Sequence, residues 1–182
     1  NAGATIQEIT VPNLDLLRLA HLVTIGIEMA TSQIPHQNSH GKDYGLDTRL
    51  NLALGRGLKS TDYVHAQRHR TDLCRQFKQI LEGVDVIATP ATGCVAQKIP
   101  ADALPDGESN LEQLSQIMRF AAPGNLTGLP AISLPVGYAS SGLPMGFQMM
   151  GRPFEENLLL RLANHLEANL SRSTPQWYRS LL

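Results

Sequence analysis

Only four segments of this chain read as strands, and as a set they are apolar on both faces. They are Thr5 to Val11, closed by Pro12; Val84 to Thr89, closed by Pro90; Ala131 to Val136; and Met145 to Met150. Strands of that kind need helices above and below them. Ser140-Ser141-Gly142 is a turn signal between the last two, which makes them a hairpin. A sheet this small is thin cover for the helices around it, so further strands are expected from sequence beyond this chain.

The helices supply the other layer. Asn13 stands where a cap belongs, with Asp15 in the first turn, and a helix is expected to about Ala30. Leu16, Leu19, Ala20, Val23, Ile27 and Ala30 fall on one face, with Leu17, His21 and Ile25 on its flank. Residues 31–50 are polar and hold Pro35, Gly41 and Gly45, the signature of a loop. A short helix from Asp47 to Leu58 is ended by Gly55 and Gly57. Ser60 then caps a long helix to about Leu81, with Tyr63, Ala66, Leu73, Phe77 and Ile80 as its apolar stripe. Residues 91–108 read as a loop. Ser109 and Glu112 have capping-box spacing for a helix ending near Ala122, before Pro123-Gly124. A last helix, Glu155 to Asn169, turns Leu158, Leu159, Leu162, Ala163 and Leu166 to the core. Alternating elements of this kind specify an α/β fold.

Composition removes several classes of function. Charged residues are 17% of the chain against 42% apolar, below the roughly one-quarter usual for a soluble domain, so the segment buries much of its surface. The net charge of −1 offers no basic field to nucleic acid. No apolar run approaches a membrane span, so any membrane contact is peripheral and the expected location is intracellular, cytoplasmic or on a membrane surface. Cys74 and Cys94 lie in different elements and read as reduced thiols. The chain begins Asn-Ala-Gly, with neither Met nor a signal-peptide pattern, as a fragment or a processed chain would.

The residues themselves assemble no catalytic constellation. Ser140-Ser141-Gly142 is a turn, with no base beside it. His65 and His69 share a helix face, but the Glu of a zinc-protease motif is absent and the face reads as solvated. His36 and His40 have the same spacing in a predicted loop. Gly55 to Ser60 has the wrong glycine spacing for a phosphate loop and reads as a helix-to-helix connection. His21 is either a hydrogen-bonded core histidine or a pocket-lining one. Asp85, placed in a buried strand, needs a partner and reads as structural. No metal or cofactor is expected.

Longer motifs carry a resemblance. Val84-Asp-Val-Ile-Ala-Thr-Pro90 with Ala91-Thr-Gly93, then Asn125-Leu-Thr-Gly-Leu-Pro-Ala-Ile-Ser-Leu-Pro-Val-Gly137, then Gly142-Leu-Pro-Met-Gly-Phe-Gln-Met-Met-Gly-Arg-Pro153 resemble, in order and spacing, the C-terminal part of the amidase signature family. Within it, the segments around Leu19 to Gly26, Asp47-Thr-Arg49, Asp62-Tyr63 with Ala66-Gln67, Ile99 to Leu104 with Gly107-Glu108, and Met118-Arg-Phe120 resemble the plant-type fatty acid amide hydrolases, which cleave N-acylethanolamines. The resemblance runs from about Ala4 to Glu156. It implies the C-terminal portion of a serine amidase, a mixed β-sheet covered by helices. Residues 1–182 would then form a single partial domain.

That family's Ser–cis-Ser–Lys triad, with its backbone oxyanion hole, has no matching positions here, so the resemblance implies an N-terminal catalytic core outside this chain and no activity from the chain alone. It implies one wall of an acyl pocket on this chain: His21 and Ile25, then Asn51, Leu54 and Leu58, then Leu111 and Ser115. Leu52, Gly55 and Leu58 stand where plant enzymes tend to carry aromatic residues, which points to a differently shaped acyl site. The implied partners are an amide substrate with an apolar acyl chain and the missing N-terminal half. A homodimer stays open.

Two alternatives remain at this point. One is another amidase class, such as a transamidosome-type amidotransferase component working on glutamine, which wants an Arg or Asp facing its pocket. The other is a non-catalytic domain binding a ligand or partner, which predicts a closed, polar-covered monomer. The amidase reading predicts an unpaired sheet edge and an exposed apolar face. A split amidase completed by a separate chain would share that surface.

Overall fold

The computed structural model describes residues 3–101 and 110–173. The chain runs α1 (Leu14–Ser32), α2 (Ile34–His40), α3 (Leu46–Gly57), α4 (Ser60–Gly83), β1 (Ile87–Pro90), α5 (Leu111–Ile117), α6 (Ala121–Thr127), β2 (Ala131–Tyr138), β3 (Pro144–Met150) and α7 (Glu156–Ala168). It is a helix-rich α/β architecture around a small sheet of order β1-β3-β2. Both pairings are antiparallel, with Ile87 and Ala131 each opposite Met150.

The sheet separates two apolar clusters, and β3 serves both. Successive strand residues point to opposite faces. Met149 therefore joins Leu134 and Leu159 beneath α7, while Met150 joins Leu17, Phe77, Leu81, Ile87 and Leu126 among α1, α4 and α6. On β2, Ile132, Leu134 and Val136 face α7, whereas Ala131, Ser133 and Pro135 on the other side are exposed. The helices thus cover one face along its length and the other at the Met150 end. Each outer strand has a single neighbour among the described residues.

The hairpin turn and the two long helices form where the sequence puts them. Gly142 takes φ 81° and donates its N–H to the Ala139 carbonyl at 2.8 Å, closing the turn. Several details differ. Thr5 to Val11 forms no strand; Ile9 and Val11 instead pack against the larger core. β-Branched composition makes a strand only where a ladder partner exists. Asn13 holds the cap position in the left-handed region (φ 56°), and its side chain makes no capping bond. On α1 the buried face is turned toward Leu17, which is fully buried, while Leu16 and Leu19 are exposed.

Residues 31–50 are mostly helical. Pro35 sits in the first turn of α2, where a missing N–H costs nothing. Gly55 does not end α3 but lets it approach α1. Ser60 is the first residue of α4, and Asp62 accepts the Lys59 N–H at 2.8 Å. Ser109 lies outside the described residues; the side chain of Asn110 caps α5, accepting the Gln113 N–H at 3.0 Å. Pro123-Gly124 lies inside α6, which ends on Gly128 at φ 75°. Asp85 is exposed rather than buried, 3.4 Å from Arg152.

Candidate functional site

α1 positions the first candidate residues. Arg18, His21 and Ile25 recur at i, i+3 and i+7, so they share one helix face, beside the face buried through Leu17 and Ala20. Ile25 is exposed and His21 half-buried. α3 lies alongside. Gly55 allows this closeness: a Cβ built there would stand 2.1 Å from the Gly26 carbonyl oxygen. A Cβ on Gly26 would lie 3.7 Å from Leu58 Cδ1, which places Leu58 at this crossing. Leu54 is exposed on α3, one turn before Leu58. Asn51 spends its amide N–H₂ on its own helix, donating to the Asp47 carbonyl at 3.0 Å.

α5 brings the remaining pair. Leu111 and Ser115 are one turn apart, so they share a face. Leu111 is exposed and Ser115 half-buried. The Arg18 guanidinium donates to Ser115 Oγ, linking residues 97 apart in sequence. Its other terminal nitrogen lies 3.5 Å from Asp15. α1 is therefore the common element: α3 crosses it near Gly26, and Arg18 joins it to α5.

Burial lowers the pKa of His21 from its ordinary 6.5, because desolvation disfavours the imidazolium. A neutral ring suits the company of Ile25, one turn along the same helix. Among the described residues no hydrogen bond engages the His21 ring. A concavity of about 260 Å³ lies against α5, lined by Cys94, Gln97, Asn110, Glu112, Gln113 and Gln116. None of the seven candidate residues lines that concavity. Cys74 and Cys94 are free thiols.

Arg18 is the residue that sequence reasoning misses. The available signal is an Arg three positions before His21, on a helix otherwise lined with Leu and Ile. Phasing the helical pattern on Leu16 and Leu19 hides it.

Comparison with known proteins extends this picture. The family model described as Amidase matches residues 2–160. A fatty acid amide hydrolase of Oryza sativa subsp. indica is 45% identical over 166 residues, covering 91% of this chain and 27% of that protein. A glutamyl-tRNA(Gln) amidotransferase subunit of a Chelativorans strain is 30% identical over 205 residues, covering 98% of this chain and 41% of that protein. Among solved structures, an amidase crystal structure superposes with a TM-score of 0.80 at 25% identity, covering 92% of this chain and 38% of that one. This chain thus spans between about a quarter and two-fifths of the length of these relatives. Within the matched range Gly128 ends α6 in the left-handed region, Pro130 accepts the Gly151 N–H at 3.0 Å, and Arg152 donates to the Leu81 and Val84 carbonyls. The chain belongs to the amidase signature family.

Proposed function

We propose that the protein containing this chain hydrolyses the amide bond of fatty acid amides such as N-acylethanolamines, and that this chain forms one wall of the acyl site. The observation that carries the reading is that exposed aliphatic side chains stand on three helices, of which α1 packs on α3 and is bonded to α5. Ile25, Leu54 and Leu111 are 46%, 46% and 59% exposed, with His21, Asn51 and Ser115 beside them as the only polar candidates. An acyl chain laid on such a surface gains about 0.8 kcal/mol for each methylene it buries. The similarity to the rice fatty acid amide hydrolase supports the same substrate class.

On this reading residues 1–182 are a partial domain, and a Ser–cis-Ser–Lys triad stands on the rest of the protein. Any membrane contact by this chain is proposed as peripheral; no helix among the described residues is long and apolar enough to cross a bilayer. Amide transfer from glutamine is the second reading. Arg18 favours it, being a cation beside the wall, as does the similarity to the glutamyl-tRNA(Gln) amidotransferase. Arg18 is, however, already engaged by Ser115 and Asp15, and the surface around it is aliphatic.

The test is hydrolysis of an N-acylethanolamine by the 182-residue chain, alone and mixed with the N-terminal half of a related amidase. Inactivity alone and recovery on mixing are expected. Turnover by the chain alone, lost on mutating one of its own serines, would overturn the reading.

A further inference from the structure

α5 is a helix with little to hold it. It is seven residues long and buries none of its side chains. Leu111, Leu114 and Ile117 are all exposed on it. Among the described residues two polar attachments tie it to other elements. At its C-terminal end the Gly93 N–H donates to the Gln116 carbonyl at 2.9 Å, and a Cβ on Gly93 would stand 2.5 Å from that oxygen, so the loop after β1 lies flush against the helix end. Beside it on the helix, Arg18 reaches Ser115 from α1. The first attachment holds the end of the helix by its backbone; the second ties the helix to α1 through a side chain.

The donor chemistry makes that second attachment directional. A guanidinium has donors and no acceptor, so Ser115 Oγ must accept. The Arg18 side chain is only 27% exposed, which shields the bond from water. Its other anchor, Asp15, is fully exposed and contributes little.

We infer that Arg18 is a positioning residue: through Ser115 it latches α5 to α1 and so fixes the distance between the Leu111 and Ile25 sides of the acyl surface. This rests on the acyl-site reading above. Arg18 touches no reacting atom, so its effect belongs in substrate affinity and grows with acyl chain length.

The experiment uses the full-length protein that contains this chain, with Arg18→Met, Arg18→Lys, Ser115→Ala and the Arg18→Met/Ser115→Ala double variant. Two readouts are taken together. The first is kcat and KM for a long-chain and a short-chain N-acylethanolamine. Arg18→Met is expected to raise KM for the long chain by about tenfold, the weight of one charge-assisted hydrogen bond. The short-chain KM and both kcat values should move by less than about twofold. Arg18→Lys should restore most of the loss, and the two substitutions combined should fall clearly short of additive, because both break one bond. The second readout is amide hydrogen exchange, where residues 111–117 should lose protection in Arg18→Met and regain it in Arg18→Lys. Equal KM effects on both chain lengths, a fall in kcat alone, or unchanged exchange in α5 would each overturn the latch. If the wild-type protein hydrolyses neither amide, the acyl-site reading fails, and the exchange readout still decides the latch.

Discussion

Two glycines in α3 carry different burdens although the sequence presents them as a pair. Gly55 faces the Gly26 carbonyl so closely that a methyl group cannot enter without parting α1 from α3. Gly55→Ala is expected to cost about 1–3 kcal/mol, the usual penalty for overpacking. At Gly57 nothing lies within 4 Å of a new Cβ, so Gly57→Ala should be neutral or gain up to about 1 kcal/mol from helix propensity. Thermal melting of both variants checks the contrast. His21 gives a second test. Its folded-state pKa lies below the ordinary 6.5, so the unfolded chain takes up the proton first as pH falls. The stability at stake is fully present above pH 6.5 and is lost as pH drops through the lowered value. His21→Gln should therefore flatten the fall in urea midpoint between about pH 7.5 and about pH 5. The sequence places His21 and Ile25 on a shared flank, and the structure keeps them together. It cannot show Arg18 reaching Ser115, because a bond spanning so many residues leaves no local pattern.

At the scale of elements, long apolar periodicity is the legible signal. α1, α4 and α7 fall within a few residues of where their stripes place them. Short elements are harder to read. α2 is hidden by Pro35, which marks a loop in most contexts but fits the first turn of a helix. Thr5 to Val11 has the composition of a strand because β-branched residues favour sheets, yet strand formation depends on a neighbour that no local sequence specifies. The joints between elements rest on a few side chains. Arg152 donates to the Leu81 carbonyl at 2.9 Å and to the Val84 carbonyl at 3.0 Å, and lies 3.0 Å from Glu155. It thereby ties the end of α4 to the segment leading into β1 and to the residue preceding α7. Arg152→Ala strands two carbonyls and should lower the urea midpoint without changing the slope of the transition. Arg152→Lys should recover only part of that shift, because an ammonium cannot reach both carbonyls in the planar geometry of a guanidinium.

Taken whole, the molecule packs two apolar clusters about its sheet and leaves apolar side chains exposed along α1. Leu19, Leu22 and Ile25 stand 55%, 46% and 46% exposed along α1, which fits the surface expected of an amidase portion rather than that of a closed, polar-covered monomer. Leu19→Asp should shift the melting temperature of this chain little, since the side chain is already in solvent, within about 0.5 kcal/mol. The same substitution should abolish recovery of activity in the mixing experiment, which separates a surface that stabilises the chain from one that joins it to the rest of the enzyme. Inside, Met149 and Met150 hand the central strand to two different clusters. A slip of β3 by one residue would present each sulfur to the wrong side and strip both interiors at once. The two halves of the core therefore answer to one register, set by a single strand.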